Sequence, residues 1–206
     1  MKEVPWFEHE TGDLTPAEQE FAAVLAARAS AWPVDPLSTV LLPARHTPYG
    51  EMLAYLDIGD PERNRGVLTI GAHFDGRTVR ADRLHNQNFT LPDVPTEFTF
   101  TTAGNPTETA IRTAIWFEAI LARPLIRCEW LHEGKVYALR YEYADNGRGL
   151  SEGFETPLAP PELQERLAAE GVDRGRGRIN RAGLGEPDRV VHVRGVTTTQ
   201  QSPESP

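Results

Sequence analysis

Between Asn105 and Tyr143 the spacing of apolar residues changes from a helical period to an alternating one, and this stretch organises the reading of the chain. Asn105 is placed to cap a helix with its side-chain oxygen, Pro106 suits the first helical position, and Glu108 meets the positive end of the helix dipole. Pro124 bars continuation, so the helix is expected to stop near Arg123. At about 100° per residue, Ala110, Ile111, Ala114, Phe117 and Leu121 share a side, which Ile115 and Ala122 widen and Trp116 and Ile120 extend. Only Glu108 and Arg112 remain as a clear polar strip, which predicts a mostly buried helix. Glu118 falls between Ile111 and Ala122 on the apolar side. It is read there as a buried polar group, either paired with an arginine of the following strands or serving as a general acid, base or ligand.

Beyond Pro124, Ile126, Cys128 and Trp130 alternate with Arg127 and Glu129, and Tyr137, Leu139 and Tyr141 alternate with Ala138, Arg140 and Glu142. A two-residue turn at Glu133-Gly134 sets Trp130 opposite Tyr137, Cys128 opposite Leu139 and Ile126 opposite Tyr141. In that register the large apolar groups share one face. Arg127, Glu129, Arg140 and Glu142 form a charge lattice on the other, read either as a solvated face or as a recognition surface for a partner.

Upstream, Met1 to Asp13 is acidic and reads as loosely structured, and Thr15 caps an amphipathic helix from Pro16 to about Ala31. Short strands are predicted at 39–42, 51–58, 67–74, 78–84 and 97–101. Asp75-Gly76 is the hairpin turn between the third and fourth, because both residue types tolerate positive φ. Downstream, a short helix is expected from Pro160-Pro161 to Ala169 and a last strand at 189–193. The stretch GVDRGRGRINRAGLG has no apolar period. Residues 195–206 have the composition of a disordered tail. The pattern as a whole predicts an α+β fold, a largely antiparallel sheet packed against two helices, in a single domain over residues 1–194.

Composition narrows the function classes. The chain has 206 residues, 39% of them hydrophobic, enough for one substantial core, and carries a net charge of -9. That charge argues against wrapping nucleic acid or binding anionic membranes and suits a basic partner. Nineteen arginines against two lysines read as a GC-rich genome rather than a chemical requirement. A single cysteine permits no internal disulfide and no cysteine zinc site. No apolar run approaches the roughly 20 residues of a membrane span, and the acidic start is unlike a signal peptide, so a cytoplasmic protein is expected. The six histidines show no paired ligand spacing, no Ser lies in a G-x-S-x-G elbow, and no cofactor is predicted.

Three short segments invite comparison with known families. VLTIGAHFDG, residues 67–76, resembles the strand-end segment of zinc aminopeptidases, which would nominate His73 and Asp75 for a metal; the same Asp75-Gly76 also serves as a plain turn. ADNGRGL, residues 144–150, resembles the nucleotide lid of the histidine-kinase and gyrase class of ATPases, with Asp145, Gly147 and Gly149 at the matching positions, and equally suits a polar turn. The helix followed by RPLIRCEW resembles the closing segment of some bacterial toxin-immunity proteins, carried here by Pro124, Glu129 and Trp130. That resemblance implies inhibition of a toxin by surface complementarity, without catalysis.

The resulting expectation is a non-enzymatic protein-binding module, an immunity-type inhibitor of a cognate toxin. Glu129, Glu142, Arg127, Arg140 and Trp130 are its candidate contact residues, and a protein is its partner. The alternative is a small metal-dependent hydrolase or ligand-binding domain using His73, Asp75 and Glu118 in a pocket lined by Trp116, Trp130 and the tyrosines. A third reading is self-association through an exposed sheet edge.

Overall fold

A computed structural model describes residues 6–7, 14–85, 89–169 and 184–195. The acidic start before Trp6, most of the glycine-arginine stretch and the tail after Gly195 lie outside the described residues. Contacts divide the chain into two compact units, Met1–Ala122 and Arg123–Pro206. Each is built on its own antiparallel sheet, so the α+β expectation holds with two sheets in place of one.

The first unit begins with helix α1, Pro16–Ala29. Thr15 accepts from the Glu18 amide and Glu18 Oε2 accepts from the Thr15 amide at 2.7 Å, a reciprocal cap that satisfies two donors the helix cannot. Strands β1 (Ser38–Leu42), β2 (Met52–Asp60), β3 (Arg65–Phe74), β4 (Thr78–Arg83) and β5 (Phe100–Ala103) follow and lie side by side in that order. Helix α2, Pro106–Leu121, closes the unit, with Asn105 Oδ1 accepting from the Glu108 amide as its cap.

Alternation along the strands gives the sheet two unlike faces. One face presents Leu41, Met52, Ala54, Leu56, Ile70, Ala72, Phe74, Val79 and Ala81, all buried. The helices cover this face: Phe21 of α1 stacks on Phe74 with centroids 4.4 Å apart, and Trp116 of α2 stacks on Phe100 at 5.8 Å. The opposite face carries Leu53, Tyr55, Asp57, Thr69, Gly71, His73, Arg80 and Asp82.

Helix α2 buries a somewhat different side from the one its apolar residues mark. Ala110, Ala114, Phe117, Ile120 and Leu121 are buried as expected, but Thr109 and Thr113 join them, while Ile115 is 51% exposed. Each threonine hydroxyl donates to a carbonyl one turn back, Thr109 to Asn105 at 3.0 Å and Thr113 to Thr109 at 2.8 Å, so burying them leaves no donor unmet. The rotation leaves Glu118 half-exposed, which corrects the expectation of a buried carboxylate.

The second unit has strands β6 (Leu125–His132), β7 (Lys135–Tyr143), β8 (Gly149–Phe154) and β9 (Arg189–Arg194) in the order β8-β7-β6-β9, with helix α3, Pro161–Ala169. The Glu133-Gly134 turn forms as predicted, with φ of 50° and 76° at its two residues. A bulge between Trp130 and Leu131 then inserts Tyr137 as an extra residue and moves the register by one, so Trp130 faces Ala138, Cys128 faces Arg140 and Glu129 faces Leu139. The clean division into an apolar and a charged face does not survive that shift. Cys128, Trp130, Tyr137 and Ala138 form a buried cluster with Ala159, against which Phe154, Leu158, Leu163 and Leu184 pack. Strand β8 had no counterpart in the sequence reading. Among the described residues no helix is long and apolar enough to cross a membrane.

Candidate functional site

The residues expected to meet a partner from the β6–β7 hairpin are used inside the second unit. Glu129 is 0% exposed, Arg127 5% and Glu142 2%, which corrects the solvated-face reading. Arg127 Nε donates to Glu129 Oε1 at 2.7 Å and Arg189 Nε to Oε2 at 2.6 Å, so one buried carboxylate joins β6 to β9. Burial works against the Glu129 charge, yet the hydrogen bonds from Arg189 and Arg127 hold its pKa below the ordinary glutamate range. Arg140 Nε donates to Glu142 Oε2 at 3.1 Å, and the Cys128 thiol lies 3.6 Å from Glu142 Oε1. A side chain at Gly149 would collide with the Arg140 guanidinium, its Cβ falling 2.5 Å from Nη2; glycine there gives Arg140 its room. Trp130 is buried, with Nε1 donating to the Gly185 carbonyl at 3.3 Å. Strand β9 is the edge of this sheet, where Val190 is 55% exposed.

Asp145 is likewise held within its unit. Its carboxylate takes two hydrogen bonds from Arg123 at 2.8 and 2.9 Å, and Arg123 in turn lies over the Tyr143 ring, 3.6 Å from its centroid. That bond from Arg123 is the chief reason the Asp145 pKa is lowered. Gly147, with φ of 67°, completes the turn between β7 and β8.

His73, Asp75 and Glu118 are not assembled into one site. The hairpin tip is Gly76-Arg77, one residue later than predicted, with Gly76 at φ 99°. Asp75 Oδ1 accepts from the Arg77 amide at 2.9 Å and the Thr78 amide at 2.7 Å, and the Thr78 bond leads the causes that lower the Asp75 pKa. Its carboxylate therefore braces the turn. Glu118 belongs to α2, on the far side of the sheet from His73. Among the described residues no three His, Cys, Asp or Glu side chains are grouped so as to hold a metal ion. An open pocket of about 640 Å³ lies where Gly76 and Arg77 face Gly104, Asn105 and Pro106 at the start of α2.

The polar chemistry that does converge lies on the face of the first sheet away from the helices. His73 is opposite Arg80 on β4 and Leu53 on β2. Just ahead of β2, the Thr47 hydroxyl lies 2.6 Å from the Glu51 carbonyl and 3.1 Å from that of Ala44, and Gly50 turns the chain at φ 65°. This fold presents Tyr49 and Glu51 to the same spot. Arg80 Nη2 lies 2.9 Å from both oxygens of Glu51, and its guanidinium stands 5.7 Å from the Tyr49 ring centroid. Tyr49 also meets the His73 ring edge-on, centroids 4.9 Å apart. Tyr49 is 43% exposed and the Arg80 side chain 49%, whereas His73 beneath them is 1% exposed.

His73 Nε2 lies 3.1 Å from the Phe89 carbonyl, which only accepts, so Nε2 carries the proton and Nδ1 is the bare nitrogen. Nδ1 is buried without a hydrogen-bond partner among the described residues and faces Glu51 Oε2 at 3.9 Å. Burial lowers the His73 pKa; the Phe89 bond and the Glu51 charge oppose that and Arg80 adds to it. Phe89 has φ of 52°, unusual for a bulky residue, and stacks on Tyr55 with centroids 4.7 Å apart. Tyr49, Glu51 and Arg80 were missed in the sequence. The tip at Gly76-Arg77, one residue beyond the expected turn, sets Arg80 opposite His73.

No family model, no curated protein and no solved structure was found to match the chain.

Proposed function

We propose that the chain is a non-enzymatic protein-binding module that meets its partner through Tyr49 and Arg80. Its specific role is the one implied by the resemblance at Pro124, Glu129 and Trp130, cytoplasmic inhibition of a cognate toxin by surface complementarity. The observation that carries this reading is the pair on the first unit, an exposed arginine held by both oxygens of Glu51 and the exposed Tyr49 ring beside its guanidinium. Tyrosine and arginine are the side chains that dominate binding energy at protein interfaces, and a pair already ordered loses less entropy on docking. The net charge of -9 favours a basic partner and speeds encounter with it. Glu129 and Glu142 then act as internal supports of the second unit rather than as contacts.

The test is capture with the tagged full chain from lysate of its source cells, comparing wild type with a Tyr49→Ala, Arg80→Ala double variant of unchanged circular dichroism. A stoichiometric protein partner retained by the wild type and lost by the variant is expected. A partner that binds both equally, or no stoichiometric protein partner, would overturn the proposal.

A further inference from the structure

We infer that His73 is a proton-operated gate beneath the Tyr49–Arg80 surface: protonation at Nδ1 draws Glu51 toward the imidazolium and releases Arg80 from its two-point hold. This rests on the reading of that surface as the contact site and names its regulation. Among the described residues the groups that face His73 come from three segments. Glu51 and Tyr49 come from the chain ahead of β2, Arg80 from β4, and the Phe89 carbonyl from the segment after β4. The Phe89 carbonyl fixes the tautomer, so the only ring nitrogen able to take a proton is Nδ1, and it is aimed at a carboxylate.

In the neutral ring, Nδ1 and Glu51 Oε2 are two acceptors 3.9 Å apart, with no proton between them. That spacing is about 1 Å longer than a charge-assisted hydrogen bond. Glu51 is meanwhile held by Arg80 through both oxygens. Adding a proton to Nδ1 turns the same pair into donor and acceptor of opposite charge. The carboxylate then serves two cations, and as it turns toward His73 it withdraws from Arg80. Since Arg80 lies against Tyr49, and Tyr49 against His73, the event is transmitted to the two exposed side chains. Burial that disfavours the charged ring sets the gate to operate on the acid side of the usual histidine range.

The experiment is an NMR titration of the isotope-labelled full chain from about pH 8 to about pH 5, following the His73 ring nitrogens, the Arg80 guanidinium and the Phe89 amide. Expected are a proton arriving at Nδ1 with a midpoint below about 6.5, Arg80 shifting with the same midpoint, and Nε2 remaining the donor to Phe89. In Glu51→Gln the His73 midpoint should fall further and the Arg80 response should disappear. A histidine that titrates while Arg80 stays still, an Arg80 response that persists in Glu51→Gln, or a His73 that never titrates over this range would each overturn the gate. No partner enters this measurement, so its failure is separate from failure of the contact surface, which the capture experiment reads.

Discussion

Replacing Glu129 by Gln keeps the shape of the side chain and removes the charge that joins β6 to β9. The carboxylate is 0% exposed, and one of its partners, Arg127, is nearly as deep, with 6% of its side chain exposed. A second partner, Arg189, is 53% exposed and remains hydrated when released. Taking one partner from a buried pair costs about 3–5 kcal/mol, whereas an exposed ion pair contributes about 0–1 kcal/mol. Glu129→Gln should therefore destabilise the second unit by about 3 kcal/mol or more, Arg127→Gln by a similar amount, and Arg189→Gln by no more than about 1 kcal/mol. The assay is urea unfolding, with hydrogen exchange of β6 and β7 peptides to assign the loss to this unit. The linkage has a definite sign. The native pKa lies below the unfolded one, so the contribution is complete above about 4.5 and fades as pH falls through the native value. A Glu129→Gln cost under about 1 kcal/mol, or an Arg189→Gln cost equal to it, would refute the reasoning.

Three further outcomes follow from the first unit. Because burial lowers the His73 pKa in the folded chain, the unfolded chain takes up its proton first. Stability should decline as pH drops below about 6.5 until the native ring is also protonated, a decline that thermal melts should find absent in His73→Gln. Phe21→Ala removes a ring that is 0% exposed and stacked on Phe74, and should cost about 3–5 kcal/mol in chemical denaturation. At Gly71 an added Cβ would fall 2.6 Å from Leu84 Cδ1 and 3.0 Å from Tyr55 Cβ, so Gly71→Ala should lose about 1–3 kcal/mol in the same assay.

The elements legible in the sequence were those whose local signals agree with one another. Thr15 with Pro16, Asn105 with Pro106, and Glu133-Gly134 each mark a boundary through the chemistry of a few adjacent residues, and each stands where expected. Register was harder, because a single inserted residue reverses it. Tyr137 as a bulge turned Arg127, Glu129 and Glu142 from an expected outer lattice into buried groups, and the tip at Gly76-Arg77 paired Arg80 with His73. The α+β class tolerates such errors and the candidate site does not. Strand β8, GLSEGF, has two glycines and little apolar alternation, so its pairing with β7 has no sequence period to betray it. Thr109 and Thr113 read as polar, yet each satisfies its hydroxyl within its own helix and is buried. Tyr49, Glu51 and Arg80 are separated by a strand pair, and nothing in their spacing along the chain announces that they meet.

The contact surface itself is tested most directly by hydrogen exchange of the full chain alone and bound to the partner it captures. Binding through Tyr49 and Arg80 should slow exchange in the peptides that carry Pro48 to Leu53 and Val79 to Arg83, with β6 and β7 unchanged. Protection confined to the second unit, leaving those two segments exchanging as in the free chain, would contradict it.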